Sequence, residues 1–142
     1  TSIKSDAQII IARAAMQTGD EAKAEKAYAE VRKMATGKLA AEALYYDAYF
    51  KHQKGNYKAS NEAVQLLAKD YSGYKQFGAM GLVLMAKNFY ALDDAYQATY
   101  ILENVINNFS DFPDIVEEAQ AELAAIKATE AKTNASVETE GN

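Results

Sequence analysis

The segment from Ala41 to Ser60, AEALYYDAYFKHQKGNYKAS, contains the pattern that decides the fold. Residues 41–54 include neither glycine nor proline and are rich in alanine and other good helix formers. Gly55 then ends the helix, because glycine adopts the left-handed conformation at a helix C-terminus without strain. Asn56 is a preferred N-cap residue, so a second helix begins at once. The segment therefore predicts two antiparallel helices joined by a short turn.

The same turn recurs at Gly19-Asp20 and Asp93-Asp94, so the hairpin is an internal repeat with spacings of 36 residues (19 to 55) and 38 residues (55 to 93). After each turn come a small residue, a large residue and an aliphatic residue, at intervals of four and three that lie on one helix face. These columns are Ala24, Ser60 and Ala98; Tyr28, Val64 and Leu102; and Val31, Leu67 and Val105. The small residue lets two helix backbones approach, and the larger residues fill the widening gap.

The helices before the turns match less evenly. In the first and third repeats the core-facing residues are predicted to be Ile11, Ala12 and Ala15, and Met85, Ala86 and Phe89. The same offsets in the middle repeat give Asp47, Ala48 and Lys51, whereas a slip of one residue gives Ala48, Tyr49 and His52. We prefer the slipped register, which predicts a slightly longer helix in the middle repeat.

These patterns predict seven helices, at about residues 6–17, 21–35, 39–54, 56–71, 75–92, 95–109 and 113–129. Ser5 and Gln8 have capping-box spacing at the start of the first helix, and Pro113 stands at the start of the seventh. The predicted domain covers residues 1–132, with repeats at about 5–37, 38–73 and 74–112 and a capping helix at about 113–130. Residues 133–142 are polar and acidic without periodicity, which predicts a disordered tail.

The seventh helix is predicted to act as a lid. Its apolar residues recur at intervals of four, four and three and form one stripe: Ile115, Ala119, Leu123 and Ile126. Its other face is acidic, since eight of the chain's 20 acidic residues and only two of its 15 lysines and arginines lie from Asp111 onward. A polar outer face is what a terminal repeat requires.

The composition argues against several classes of function. The 142 residues include no cysteine, which excludes disulfides and thiolate sites, and His52 is the only histidine. No nucleophile elbow accompanies it, so we predict no catalytic, cofactor or metal residues and no enzymatic activity. The net charge of −5 argues against nucleic acid as the main partner. The most apolar run, residues 77–86, is far shorter than the roughly 20 residues that span a membrane.

Two stretches of the sequence resemble the tetratricopeptide (TPR) helix–turn–helix unit. They are Ala41-Glu42-Ala43-Leu44-Tyr45-Tyr46 followed by Gly55-Asn56-Tyr57-Lys58-Ala59-Ser60, and Ala86, Phe89-Tyr90, Asp93-Asp94 and Ala98. The similarity covers about residues 6–110, and residues 111–130 resemble the extra capping helix of such arrays. The repeats are longer than the usual period of about 34 residues and lack its tryptophan and leucine-glycine. In this they resemble the looser repeats of bacterial envelope TPR proteins.

The resemblance implies an all-α, TPR-like α-solenoid of three helical hairpins plus a C-terminal capping helix. It further implies protein binding on a concave surface made mostly by the first helix of each pair. The candidate binding residues are Arg13, Met16, Tyr49, His52, Lys87 and Tyr90. The partner would be a peptide or a protein; the alternative is a purely structural terminal segment of a long array with no ligand of its own. The sequence does not fix the compartment: the resemblance is compatible with the periplasm or the outer-membrane surface, and the cytoplasm stays open.

Tyrosine couples a rigid ring to a polar tip and is enriched at interfaces, but it also fills gaps between helices. Of the ten tyrosines, Tyr49 and Tyr90 are expected to be exposed. The first helix is apolar nearly all round, and Ile9, Ile10 and Met16 are expected to point away from its own hairpin. A helix of that kind is normally buried on more than one side. This predicts contact with upstream repeats of a longer chain, or weak self-association through the first hairpin.

Overall fold

The computed structural model describes the backbone of residues 2–140 and the side chains of residues 3–137. Over these residues the chain forms seven α-helices and no strand, which confirms the all-α prediction. The helices are α1 (Ser2–Thr18), α2 (Glu21–Met34), α3 (Gly37–Gln53), α4 (Tyr57–Asp70), α5 (Lys75–Ala91), α6 (Ala95–Asn108) and α7 (Pro113–Glu140).

Each helix packs against the next one along the chain. The pairs α1–α2, α3–α4 and α5–α6 form helical hairpins, and α2 packs on α3, α4 on α5 and α6 on α7. The odd-numbered helices also touch one another directly, since α5 packs on both α3 and α7. The molecule is therefore a row of hairpins in which α3, α5 and α7 share one side.

The three turns inside the hairpins have the same backbone conformation. Gly19, Gly55 and Asp93 have positive φ angles of 80°, 79° and 63°. In each turn, the amide of the next residue donates to a carbonyl five residues earlier: Asp20 to Ala15 at 2.9 Å, Asn56 to Lys51 at 2.8 Å and Asp94 to Phe89 at 2.8 Å. This bond is typical of a Schellman C-terminal cap. Aspartate at the third turn fits, because it tolerates the left-handed region better than most residues.

Aspartates cap the helices that follow two of these turns. The carboxylates of Asp20 and Asp94 accept from the amides of Lys23 at 3.2 Å and Gln97 at 3.0 Å. The bond to Gln97 also lowers the pKa of Asp94. Asn56 occupies the same position before α4, but its side chain makes no capping bond, contrary to the prediction.

The small residues after the turns are fully buried, as predicted. Ala24, Ser60 and Ala98 are 0% exposed, and the large and aliphatic columns that follow them are at most 3% exposed. A second small column lies seven residues before each turn: Ala12, Ala48 and Ala86 (12 to 19, 48 to 55 and 86 to 93), all 0% exposed. Ser60 Oγ donates to the carbonyl of Ala48 at 2.7 Å, so α3 and α4 come into contact there.

This second column corrects the expected register. The middle repeat needs no slip, because Ala48 occupies the place of Ala12 and Ala86. The prediction for the first helix was also wrong at two positions. Ile9 is buried at 4% exposure, whereas Ile11 is 41% exposed. Ile9 lies three residues before Ala12 and shares its face, while successive residues of a helix point about 100° apart.

The outermost helices are longer than predicted. Ser5 lies inside α1, which begins at Ser2, so it does not cap that helix. At the other end, α7 continues through Thr133–Glu140, a segment that was predicted to be disordered. No glycine or proline, the two residues that most disfavour a helix, interrupts residues 114–140. Gly141 and Asn142 lie outside the described residues.

The lid predicted for α7 is in place. Ile115, Ala119 and Ile126 are at most 8% exposed and belong to one core cluster with Leu102 and Val105 of α6. Leu123 packs against the same cluster. The stripe at intervals of four, four and three therefore covers the open side of the last hairpin.

Removing the lid should destabilise the chain strongly. We expect a truncation after Phe112 to aggregate or to unfold at much lower temperature, because burial of each large aliphatic side chain is worth about 1.5–3 kcal/mol before entropy. Circular dichroism melting measures the change. The matched control ends at Lys132 and should melt like the whole chain, because the removed side chains that the structure describes, those of residues 133–137, are all exposed. A stable, soluble Phe112 truncation would refute the lid.

Candidate functional site

A groove on the side shared by α3, α5 and α7 brings together the largest set of predicted binding residues. Its volume is about 170 Å³. Two tyrosines, three apolar residues and four polar or charged residues line it: Tyr45, Tyr49, Met80, Val83, Leu84, His52, Gln53, Lys87 and Glu118. Three larger depressions contain none of the predicted residues: one of about 360 Å³ between α2 and α3, one of about 330 Å³ among α4, α5 and the end of α6, and one of about 430 Å³ between α6 and α7.

Three of the six candidates line this groove, and three lie outside it. Tyr49, His52 and Lys87 are in the groove. Met16 packs against the core of the first hairpin. Tyr90 packs against the cluster formed with α6 and α7, and its hydroxyl donates to Glu130 at 3.3 Å. Met16 and Tyr90 are thus engaged in contacts within the chain.

Arg13 belongs to a partly buried cluster of polar groups between the first hairpin and α3. Its Nε and one terminal nitrogen donate to the two oxygens of Glu42 at 3.0 and 2.7 Å. The hydroxyl of Tyr28 donates to the same carboxylate at 2.9 Å. The side chain of Glu42 is only 8% exposed, against 51% for Arg13. The bidentate geometry is the strong form of this interaction, so Arg13 joins α1 to α3.

Lys87 connects the groove to the lid. Its ammonium lies 2.9 Å from a carboxylate oxygen of Glu118 and 3.8 Å from one of Glu122, both on α7. All three side chains are about a third to a half exposed, and exposed ion pairs contribute roughly 0–1 kcal/mol. Lys87 can therefore exchange Glu118 for a carboxylate of a ligand at little cost.

His52 is held in one orientation by a buried amide. Asn88 is 0% exposed, and its Nδ2 donates to Ser60 Oγ at 2.8 Å and to Asn61 Oδ1 at 2.9 Å. Its Oδ1 therefore faces His52 Nδ1, which lies 2.7 Å away. Because an amide oxygen only accepts, Nδ1 must carry the proton and donate.

This arrangement gives the neutral histidine a fixed tautomer. With the proton on Nδ1, Nε2 is a hydrogen-bond acceptor. Within the part of the chain that the structure describes, Nε2 has no hydrogen-bond partner. The prediction that His52 is not part of a metal site or catalytic pair remains a prediction, but the structure shows what fixes the ring. The His52 and Tyr57 rings also meet in a T-shaped arrangement, with ring centres 5.7 Å apart.

The tyrosines form a continuous aromatic layer along α3. Tyr46 stacks on Tyr28 at 4.4 Å and meets Tyr45 and Tyr49 edge-on at 5.0 and 5.9 Å. The hydroxyl of Tyr49 donates to Glu21 at 3.1 Å. The expected exposure of Tyr49 and Tyr90 was wrong, because both are half-buried. The most exposed tyrosines are Tyr96 at 79% and Tyr100 at 63%, both on α6.

Sequence reasoning missed Glu42 and Asn88, which organise these contacts. Both lie inside helices among mainly apolar neighbours, and a buried polar side chain must find a partner. That position is the one signal that could have identified them. Their partners lie 14 to 29 residues away for Glu42 and 27 to 36 residues away for Asn88, so no local pattern reveals them.

No group of three or more histidine, aspartate or glutamate side chains suited to a metal ion occurs among the described residues. Over the same part of the chain, no helix has the length and apolarity required to cross a membrane.

No protein-family model matches the sequence, and no curated protein matches it significantly.

The buried tyrosines predict a loss of stability in alkali. Burial, reinforced by the bond to Glu42, raises the pKa of Tyr28, and burial raises the pKa of Tyr45. A raised pKa in the folded state stabilises the protein fully below the unfolded value of about 10, and this stabilisation is lost as the pH rises above it. Urea unfolding between about pH 8 and about pH 11 should show the decline.

The Tyr28→Phe variant should show a shallower decline above about pH 10, since the ring remains and the titrating hydroxyl is gone. Tyr96→Phe is the matched control, because Tyr96 is exposed, and it should follow the parent curve. Identical curves for Tyr28→Phe and the parent would contradict the assignment.

Proposed function

We propose that this chain is a TPR-type protein-binding scaffold, without catalytic activity of its own, and that the groove between α3 and α5 holds a peptide segment of the partner. The observation that carries the proposal is the composition of the groove. It combines the rings of Tyr45 and Tyr49 with an oriented acceptor on His52 and a charged group on Lys87. Aromatic residues and a few placed polar groups are what peptide-binding surfaces offer.

The repeat pattern supports the assignment to the TPR type. A small residue followed four positions later by a large one occurs after every turn, as in the Ala-x-x-x-Phe part of that repeat. In this chain the pairs are Ala24 and Tyr28, Ser60 and Val64, and Ala98 and Leu102, all buried. The α-solenoid arrangement follows from stacking such hairpins in sequence.

The size of the groove favours a peptide over a small molecule. Its volume of about 170 Å³ lies below the range of about 300–1,000 Å³ typical of small-molecule sites. It accommodates one or two side chains of a partner. A hydrogen-bond donor of the partner would reach His52 Nε2, and a carboxylate would compete with Glu118 for Lys87.

The alternative is a purely structural segment of a longer array with no ligand. The contacts that occupy Arg13, Met16 and Tyr90 favour it, since half of the predicted binding surface is engaged within the chain. The two functions differ in whether the groove residues affect binding without affecting the fold.

Peptide display against the immobilised chain can distinguish them. We expect selected peptides to lose at least about tenfold in affinity on Tyr49→Ala or His52→Ala, which corresponds to about 1.4 kcal/mol. Tyr96→Ala is the matched control, because it removes an exposed tyrosine outside the groove, and it should leave affinity unchanged. Melting curves establish that each variant is folded. Peptides that bind all three variants equally, or a selection that yields no binder, would favour the structural role.

A further inference from the structure

One face of α1 is apolar and exposed. Ile3 is 83% exposed, Ile10 66% and Ile11 41%. Ala7 and Ala14, also exposed, lie between them. The intervals of four and three place these residues on one side of the helix. The opposite side, with Ile9, Ala12 and Ala15, packs in the core of the first hairpin. The face is thus separate from that core.

The equivalent face of α5 is covered by α4. Aligning the turns at 19 and 93 shifts the numbering by 74, so Ile3, Ile10 and Ile11 correspond to Phe77, Leu84 and Met85. These three residues are buried in one cluster with Val64 and Leu67 of α4. The counterpart of Ala7 is Gly81, where an added Cβ would lie 3.2 Å from Val64 and 3.3 Å from Leu67.

The same face is covered in α3. Aligning the turns at 19 and 55 shifts the numbering by 36, so Ala7, Ile10 and Ala14 correspond to Ala43, Tyr46 and Phe50. All three pack in the cluster that contains Tyr28 and Val31 of α2. Tyr46 stacks directly on Tyr28.

In α7 the equivalent stripe is the lid itself. With a shift of 112 residues, the counterparts of Ile3, Ala7, Ile11 and Ala14 are Ile115, Ala119, Leu123 and Ile126. These residues pack against Leu102 and Val105 of α6. In α3, α5 and α7, this face is therefore covered by the large and aliphatic residues of the preceding helix.

We infer that α1 docks, through Ile3, Ile10 and Ile11, on the second helix of a further hairpin built like α3–α4 and located ahead of α1 in the same polypeptide. The three internal examples specify the partner, because in each the covering helix directly precedes the covered one. The links are short: residues 35–36, 71–74 and 109–112. A second copy is the poorer occupant, since α3, α5 and α7 already cover the matching faces of α2, α4 and α6.

The test is a tandem variant of the whole chain. A second copy of residues 38–74 is placed directly ahead of Thr1. Thr1 then follows a Tyr74, as Lys75 does in the parent. The join reproduces the connection between α4 and α5. We expect a single unfolding transition with a melting temperature at least about 5 °C above that of the parent. Two separate transitions, or an unchanged melting temperature, would overturn the inference.

A double substitution on the exposed face, made in both the parent and the tandem variant, completes a thermodynamic cycle. Ile3→Glu with Ile10→Glu should change the melting temperature of the parent little, because both side chains are exposed. In the tandem variant the same change should remove most of the gain. Tyr96→Glu is the control and should be neutral in both backgrounds. Equal effects of the double substitution in the two backgrounds would contradict the docking.

Light scattering on the parent tests the competing occupant. A dimer that persists throughout a dilution series and disappears with Ile3→Glu and Ile10→Glu would identify a second copy instead and overturn the inference. The groove is formed by α3, α5 and α7, so failure here leaves the proposed peptide binding intact, and failure of peptide binding leaves this docking intact.

Discussion

The close approach of the two helices inside each hairpin is the constraint on which the remaining structure depends. It occurs where a small residue before each turn faces a small residue after it. All six of these residues are fully buried: Ala12 and Ala24, Ala48 and Ser60, and Ala86 and Ala98. In the middle hairpin the approach is close enough for Ser60 to hydrogen-bond the backbone of Ala48. The large residues further along each second helix, Tyr28, Val64 and Leu102, pack in clusters with residues of the next helix, α3, α5 and α7. Stacking of successive hairpins follows from this packing.

Two buried polar groups add specificity to that stacking. Glu42 ties α1 and α2 to α3 through Arg13 and Tyr28, and Asn88 ties α5 to α3 and α4 through His52 and Ser60. A buried carboxylate or amide is costly unless it is satisfied, so each favours one relative placement of neighbouring hairpins. Asn88 also orients His52 in the proposed binding groove. The same bond thus contributes to packing and to the chemistry that the groove presents.

Local features of the sequence predicted most of the fold. The turns at Gly19, Gly55 and Asp93 and the columns after them depend on glycine or aspartate conformation and on the helical period, both of which are visible in a short window. The face of α1 could not be predicted in the same way, because a helix that is apolar all round gives no contrast between Ile9 and Ile11. The length of α7 was underestimated because loss of apolar periodicity was taken as loss of helix.

The candidate site was predicted less completely than the fold. Of the candidates drawn from the resemblance, Tyr49, His52 and Lys87 line one groove. The engagement of Arg13 and Tyr90 could not be anticipated, since Glu42 and Glu130 lie 29 and 40 residues away along the chain. Polar contacts at that separation depend on how hairpins stack, which the sequence of one hairpin does not contain.

The central claim, that close approach at the small columns determines the stacking, is tested most directly by equilibrium unfolding of Ala98→Leu. Ala98 is 0% exposed at the contact between α5 and α6, so the larger side chain should overpack it and lower the free energy of unfolding by about 1–3 kcal/mol. The control is Ala125→Leu on the exposed side of α7, where alanine and leucine have similar helix propensities and little change is expected. If Ala98→Leu unfolds like the parent, close approach at these columns does not hold the hairpins together.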